Sequence, residues 1–316
     1  MKPPESRRTF LKISAGSVAL PFLLQSTLLK AAVPAPAAES TEGLTTYQLG
    51  PQIWVRWNNR PLTCYRAHRT QKYPYLYPLS GPASGLSLTD ETALPYPHHR
   101  SLFFGCDKVN GDNYWQEGLE RGQILSTGPR LGKTTGTSVE ILDRCEWQRP
   151  GGPVVMRDQR KITVSVPNPR LRFIDWEIEC QAVANVKVQK TNHSLFSMRA
   201  ALEITPQGGG SLVNAEGGTS EKGTHGVPSA WCTFYGSRAP GKMEGIALLD
   251  HPRNPWAPTP WFTRDYGFAS PTPMDFLKAP WELAAGKTVS LRYRVILYSG
   301  TPQEAGLPAL YRDWAG

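Results

Sequence analysis

Beyond residue 37 this sequence has no apolar run long enough to cross a bilayer, which takes roughly 20 consecutive apolar residues. A multi-span membrane body is therefore excluded. No basic run, no repeat at a fixed period and no linker-like division stands out, which argues against a nucleic-acid surface, a solenoid and a multi-domain chain. The five cysteines, Cys64, Cys106, Cys145, Cys180 and Cys232, include no close pair, so zinc-type spacing is missing, and their odd number leaves at least one unpaired within the chain. Buried free thiols, with room for one disulfide, are the expectation. Amphipathic helices longer than two or three turns are also missing. Histidine is scarce, six residues in 316.

What is present begins with an address. Ser6-Arg7-Arg8-Thr9-Phe10-Leu11-Lys12, a modest apolar stretch and then Ala35-Pro36-Ala37 form a charged head, a hydrophobic middle and a small-residue cleavage site. The arginine pair with Phe-Leu-Lys resembles a twin-arginine (Tat) signal, the route for proteins that fold before export. Residues 1–37 are thus expected to engage the Tat translocase and be removed, leaving 38–316 as a soluble single domain in the periplasm or outside the cell. Those 37 residues hold five Lys/Arg and one Glu, so the formal charge falls from +9 to about +5 on cleavage. That mild balance points away from nucleic acid.

The mature chain reads as strands. Ile162, Val164 and Val166 alternate with polar residues; Ile174, Trp176, Ile178 and Cys180 oppose Asp175, Glu177 and Glu179; Leu291, Tyr293, Val295 and Leu297 oppose Arg292 and Arg294. Period-two alternation is the mark of half-buried strands. Gly/Pro clusters such as RPGGP, TPQGGG and HPRNPWAPTP punctuate them. The predicted fold is all-β, a large antiparallel β-sandwich in one domain. Two long loops, 77–97 and 250–267, are where a site is expected on such a scaffold.

Three constellations carry chemistry. In PYPHHRSLFFG (95–105), a strand beginning near Pro97 would put His98, Arg100, Leu102 and Phe104 on one face and His99 with Ser101 on the other, unless the turn bends the chain. Asn192 and His193 stand where an apolar stretch (Phe196, Met198, Ala200, Leu202) enters its sheet. The third runs from Asp250-His251 through a proline-stiffened loop bearing Asn254, Trp256, Trp261, Arg264, Asp265 and Tyr266. All ten tryptophans lie in the mature chain. Indole and phenol rings suit stacking on sugar faces, and Arg, Asp and Asn suit paired hydrogen bonds to hydroxyls. Trp176, on the apolar face of a regular strand, is read as core.

The ordered segments HHRSLFFG…VNGDNYW (98–115), GIALLDHPRNPWAPTPWFTRDYG (245–267) and LAAGKTVSLRYRVILYSG (283–300) resemble an exported bacterial family labelled methane oxygenase PmoA-like, across nearly the whole mature chain. Where that family has Asp-His-Pro-His-His-Arg this chain has LPYPHHR, and Phe262 replaces a histidine after Trp261. A methane oxygenase subunit spans the membrane many times, which this chain does not. A more distant likeness is that of TNHSLFSM (191–198) to the Asn-His-x-x-Phe segment of galactose mutarotase-like proteins. It implies a β-supersandwich in which His193 is the general acid toward a sugar ring oxygen, and His98 or His99 with Arg100 binds substrate. The late catalytic glutamate of that family has no match here. Asp250 or Asp265 is left to supply the base.

Ring opening, epimerisation or elimination on a sugar needs a proton donor of near-neutral pKa opposite a base, with a cation near developing negative charge. The leading expectation is an exported epimerase, lyase or hydrolase acting on a sugar or sugar derivative. His193, Asp250 and Asp265 are its candidate catalytic residues, and His98, His99, Arg100, Asn192, His251, Asn254, Trp261, Arg264 and Tyr266 its candidate binders. One alternative is a non-catalytic sugar-binding protein. The other is a metal-dependent oxidoreductase, with a divalent ion held by His98, His99, His193, Asp250 and His251; no cofactor is firmly implied.

Overall fold

The computed structural model describes residues 42–316; the Tat signal expected over 1–37 lies outside the described residues. Alternation decides the long strands. In Leu171–Ala182 the residues Ile174, Trp176, Ile178 and Cys180 are buried between outward-facing acids. Val154–Asn168 buries Ile162, Val164 and Val166, and Thr288–Ser299 buries Leu291, Tyr293, Val295 and Leu297. These strands pair antiparallel in register, Trp176 lying opposite Ile162 on one side and Tyr293 on the other.

Two large sheets result. An eight-stranded sheet carries, as three neighbours, the strands Leu102–Cys106, Ser194–Arg199 and Phe268–Pro271. A nine-stranded sheet is centred on the three long strands, with Lys242–Asp250 and Ser138–Gln148 beside them. A two-stranded ribbon, Val186–Val188 with Trp281–Leu283, completes the set. Aromatic rings from the two large sheets meet: Tyr65 and Phe196 pack edge-on against Trp176, Phe196 stacks on Tyr293 at 4.5 Å, and Phe104 meets Trp147. Each fully buried ring of this kind stabilises the fold by about 2–3 kcal/mol. The chain is the antiparallel β-sandwich that its alternation predicts, and Trp176 is core.

A buried ion pair sits inside that core. Arg160 is fully buried and donates from Nε and Nη2 to Asp158, which also accepts from Trp147 Nε1, so the buried charge is matched. All five cysteines are buried and free. In the last strand alternation ends: Ile296 and Tyr298 are buried as well, because the helix Leu307–Ala315 covers the second face with Leu307, Leu310, Tyr311 and Trp314.

Candidate functional site

Strand order creates the site. Leu102–Cys106 and Ser194–Arg199 pair antiparallel, Ser194 opposite Cys106, so the residues just outside that register, Asp107 and His193, become neighbours. His193 Nδ1 lies 3.1 Å from Asp107 Oδ2. Thr191 donates its hydroxyl to Asp107 Oδ1, the His193 amide donates to Thr191 Oγ1 (3.0 Å), and the Asp107 amide donates to the His193 carbonyl (3.0 Å). The carboxylate is thus fixed from two sides. With its proton on Nδ1, the imidazole donates to Asp107 and leaves Nε2 free. Its ring stacks on buried Trp115 at 5.4 Å and stays about one quarter exposed.

His98 and His99 reach the same place by a turn. The chain does not run extended from Pro97: the strand starts only at Leu102, residues 97–98 form a turn, and Ser101 has φ +55°. Both imidazoles consequently face one recess, 4.6 Å apart, which corrects the alternating arrangement expected from the sequence. His98 lies 6.0 Å from His193. His99 is buried against Phe268 (4.5 Å) and Tyr96 (5.2 Å). Burial, reinforced by His193 beside it, pulls His98 down to about 4, and burial with His98 and Arg199 nearby takes His99 to about 2. Both rings are therefore neutral near pH 7.

The hairpin Trp261–Arg264 to Phe268–Pro271 closes the far side. Its turn residue Tyr266 touches Tyr96 (5.1 Å), stacks near His99 (6.2 Å) and lies under the Arg199 guanidinium at 4.6 Å. The recess lies on the face of the eight-stranded sheet turned from the core: Phe104 and Phe196 point inward, whereas Phe103 packs outward on Trp115. Two non-glycine residues, Ser101 just before the strand Leu102–Cys106 and Leu195 within Ser194–Arg199, hold left-handed φ values of +55° and +65°. Such backbone costs about 1 kcal/mol or more per residue and gathers where geometry is constrained by function.

Of the residues singled out from sequence, the structure brings together His98, His99, His193 and Tyr266. Asn192, half-buried, adjoins His193. Arg100 lies beside the recess but is engaged, giving Nε and Nη2 to Glu117 (3.1 and 2.6 Å). The others are elsewhere. Asp250 is buried and accepts from Asn254 Nδ2 and Thr259 Oγ1, both at 2.6 Å, and Asn254 also clamps the Arg292 backbone. His251 accepts from the Arg253 amide and meets Trp314 edge-on. Trp261 is core, its Nε1 donating to the Ser229 carbonyl. Arg264 pairs with Glu221 and covers Phe262, and Asp265 accepts from the Glu221 amide. The proline-stiffened loop is thus occupied with itself, and Tyr266 is the member that faces the histidines.

Asp107, Trp115, Phe268, Tyr96 and Arg199 are the residues that sequence reasoning missed. A signal existed for one of them. Alternation from His193 runs Leu195, Ser197, Arg199, so the arginine shares the histidine's side of the strand. Among the described residues, no group of three or more His, Cys, Asp or Glu side chains is arranged to hold a metal ion. A hollow of about 530 Å³ lies on the outer face of the nine-stranded sheet. Its charged lining is cross-strand paired, Lys161 with Glu177 at 2.7 Å and Glu177 opposite Arg292, as in a solvated sheet face. Near the histidines, by contrast, His99 Nδ1 and Arg199 Nε and Nη1 are buried without hydrogen-bond partners.

Over residues 52–312 the chain matches the model described as "Family of unknown function (DUF6807)", and it belongs to that family. That description names no methane oxygenase. No curated protein matches it. Among solved structures it is similar to the galactose mutarotase related enzyme from Lactobacillus acidophilus, at 8% identity and TM-score 0.31, covering 82% of this chain and 97% of that one. It is also similar to a mutant of heparan sulfate lyase HepC from Pedobacter heparinus, at 11% identity and TM-score 0.34, covering 83% of this chain and 36% of the lyase. The chain therefore spans about a third of that lyase's length.

Proposed function

We propose that this member of DUF6807 is an exported carbohydrate-active protein, and that the recess around His98, His99 and His193 takes a sugar or sugar derivative on which His193 moves a proton. The observation that carries the reading is the Asp107–His193 pair held against Trp115. A carboxylate on Nδ1 fixes the tautomer and stabilises the imidazolium, so Nε2 can accept a proton and return it. Two neutral imidazoles alongside supply hydrogen bonds to hydroxyls without bringing charge. Tyr96 and Tyr266, packed against each other, border the histidines with aromatic surface of the kind that suits the apolar side of a pyranose. Asp107 thus takes the place of Asp250 and Asp265 as the carboxylate in the chemistry. Epimerisation, elimination and hydrolysis all need this proton transfer.

The test is a thermal-shift screen of the protein from residue 38 against neutral sugars, oxidised sugars and sugar acids, with and without divalent ions, followed by activity assays on whatever binds. A native-state ligand at a hundred times its Kd stabilises by about 2.7 kcal/mol, a shift of several degrees. A sugar-specific shift without added metal, lost in His193→Ala, is the expected result. A shift with metal alone, and with no sugar, sinks the proposal.

A further inference from the structure

Arg199 differs from the other deeply buried arginines. It is 3% exposed, yet Nε and Nη1 are enclosed without any hydrogen-bond partner, and no ion pair joins the guanidinium to a carboxylate of the described residues. Arg160 has Asp158 on two nitrogens, and Arg172, whose Nε is likewise unpartnered, still gives Nη1 to the Ser80 carbonyl. Arg199's guanidinium has the face of Tyr266, at 4.6 Å, and lies within electrostatic reach of the Asp90 carboxylate without forming an ion pair with it. Its backbone is well anchored, the amide donating to the Ser101 carbonyl (2.7 Å) and its carbonyl accepting from the Asp90 amide (3.1 Å), so its position is set by the sheet. A second orphan lies close by: His99 Nδ1 is buried and unpartnered, and the Tyr266 ring touches both side chains. A buried charge without a mate destabilises the fold that holds it. Such a group persists where a ligand completes it.

We infer that Arg199, with His99 beside it, anchors a carboxylate of the bound molecule, which makes the ligand of this recess an acidic sugar. The inference rests on the carbohydrate reading and narrows its substrate class. Charge count selects the anion. Nearby Arg100 and Arg264 are already paired with Glu117 and Glu221, and Asp90 already offsets part of the Arg199 charge, so the one guanidinium without a hydrogen bond suits a monoanion and disfavours a phosphate dianion. A planar carboxylate takes two parallel N–H bonds from a guanidinium fork. Arg199 closes the strand Ser194–Arg199 at the end remote from His193, so the bound acid group would lie toward His99 while the reacting atom lies toward His193.

Matched pairs test this on the protein from residue 38: glucuronate against glucose, galacturonate against galactose, digalacturonate against digalactose, with glucose 6-sulfate as a second monoanion. Binding is measured by calorimetry in wild type, Arg199→Gln, Arg199→Met and Arg199→Lys. The expected result is at least a tenfold preference for one carboxylate over its neutral partner, about 1.4 kcal/mol. That preference falls to within about threefold in Gln and Met and is partly kept in Lys. The unliganded Met variant should melt no lower than wild type, because it removes a buried charge that no ion pair matches. Equal binding of acid and neutral sugars in wild type, or a preference that survives in Arg199→Gln, overturns the carboxylate anchor and leaves the sugar site standing. Binding of the sulfate ester alone also overturns it. No binding of any sugar overturns both readings, and a Met variant that melts well below wild type assigns Arg199 to the scaffold and overturns the anchor.

Discussion

Asp107–His193 and Asp250–His251 each set an acid near an imidazole. By sequence the Asp250–His251 pair is the more prominent of the two, with its carboxylate and histidine adjacent in a stiff loop. The structure reverses that order. Asp250 spends both oxygens on Asn254 and Thr259, and His251 faces its own loop and Trp314. Asn254 in turn holds the loop to the strand Thr288–Ser299 through the Arg292 backbone. Around His193 the carboxylate is fixed by Thr191, but the ring keeps an open edge, while His99 and, at the far end of the same strand, Arg199 keep buried polar atoms without hydrogen-bond partners. Satisfied polar networks belong to the scaffold, whereas unsatisfied ones in a partly open recess mark where a ligand completes the set.

The comparison breaks most sharply by mutation. His193→Ala should lower turnover of the substrate by roughly 10²–10⁴-fold, the usual worth of a positioned acid–base group. Its melting temperature should move little, because the ring is partly exposed. Asp107→Asn should follow it in activity, since an amide cannot hold the imidazolium. Asp250→Ala should do the converse. It orphans two buried donors, costs about 2–4 kcal/mol in denaturant unfolding, and leaves the turnover of folded protein unchanged. Equal activity losses in the two carboxylate variants would erase the distinction.

Protonation sharpens it further, because the two regions carry opposite slopes between pH 4 and 6. Burial pushes Asp250 up to about 6, above its unfolded value near 4. The native state there binds the extra proton, so this contribution is present at low pH and is lost as pH rises through about 6. His98 and His99 are pulled below their unfolded value near 6.5, so their contribution is present above pH 6.5 and is lost as pH falls. Relative to wild type, Asp250→Asn should gain stability as pH climbs from 4 to 6, by up to about 2–3 kcal/mol. His99→Phe should instead lose its disadvantage, or overtake wild type, as pH drops through that range. Slopes of the same sign in chemical denaturation would contradict the assignment. The smallest effect is expected in the hollow on the nine-stranded sheet. Glu177→Gln breaks an exposed pair with Lys161, should change stability by less than about 1 kcal/mol, and should leave sugar binding untouched.

Much of the fold was legible because the long strands obey one rule: Ile162 to Val166, Ile174 to Cys180 and Leu291 to Leu297 alternate, and each buries the side it should. The rule failed at Ile296 and Tyr298, where a helix covers the second face, and around His98–Ser101, where a turn and a left-handed residue replace extended chain. The site was only half legible. His98, His99 and His193 stand out by rarity, but their carboxylate is set by which strands are neighbours. Asp107 comes to His193 across 86 residues because Leu102–Cys106 pairs with Ser194–Arg199. Tyr266 arrives on a third strand pair. Such long-range pairing leaves no mark in local periodicity. Arg199 did leave one, six residues beyond His193 on the same side of the strand.

The six histidines allow the central claim to be read in one spectrum. In a long-range ¹H–¹⁵N correlation of the imidazoles, His193 should appear as the Nδ1-protonated tautomer when neutral, and His98 and His99 should remain neutral down to about pH 5. On adding the sugar that gives the largest thermal shift, the resonances of His98, His99 and His193 should move while those of His68, His225 and His251 stay in place. Movement at His225 or His251 with His193 unchanged would put the ligand elsewhere and contradict the account.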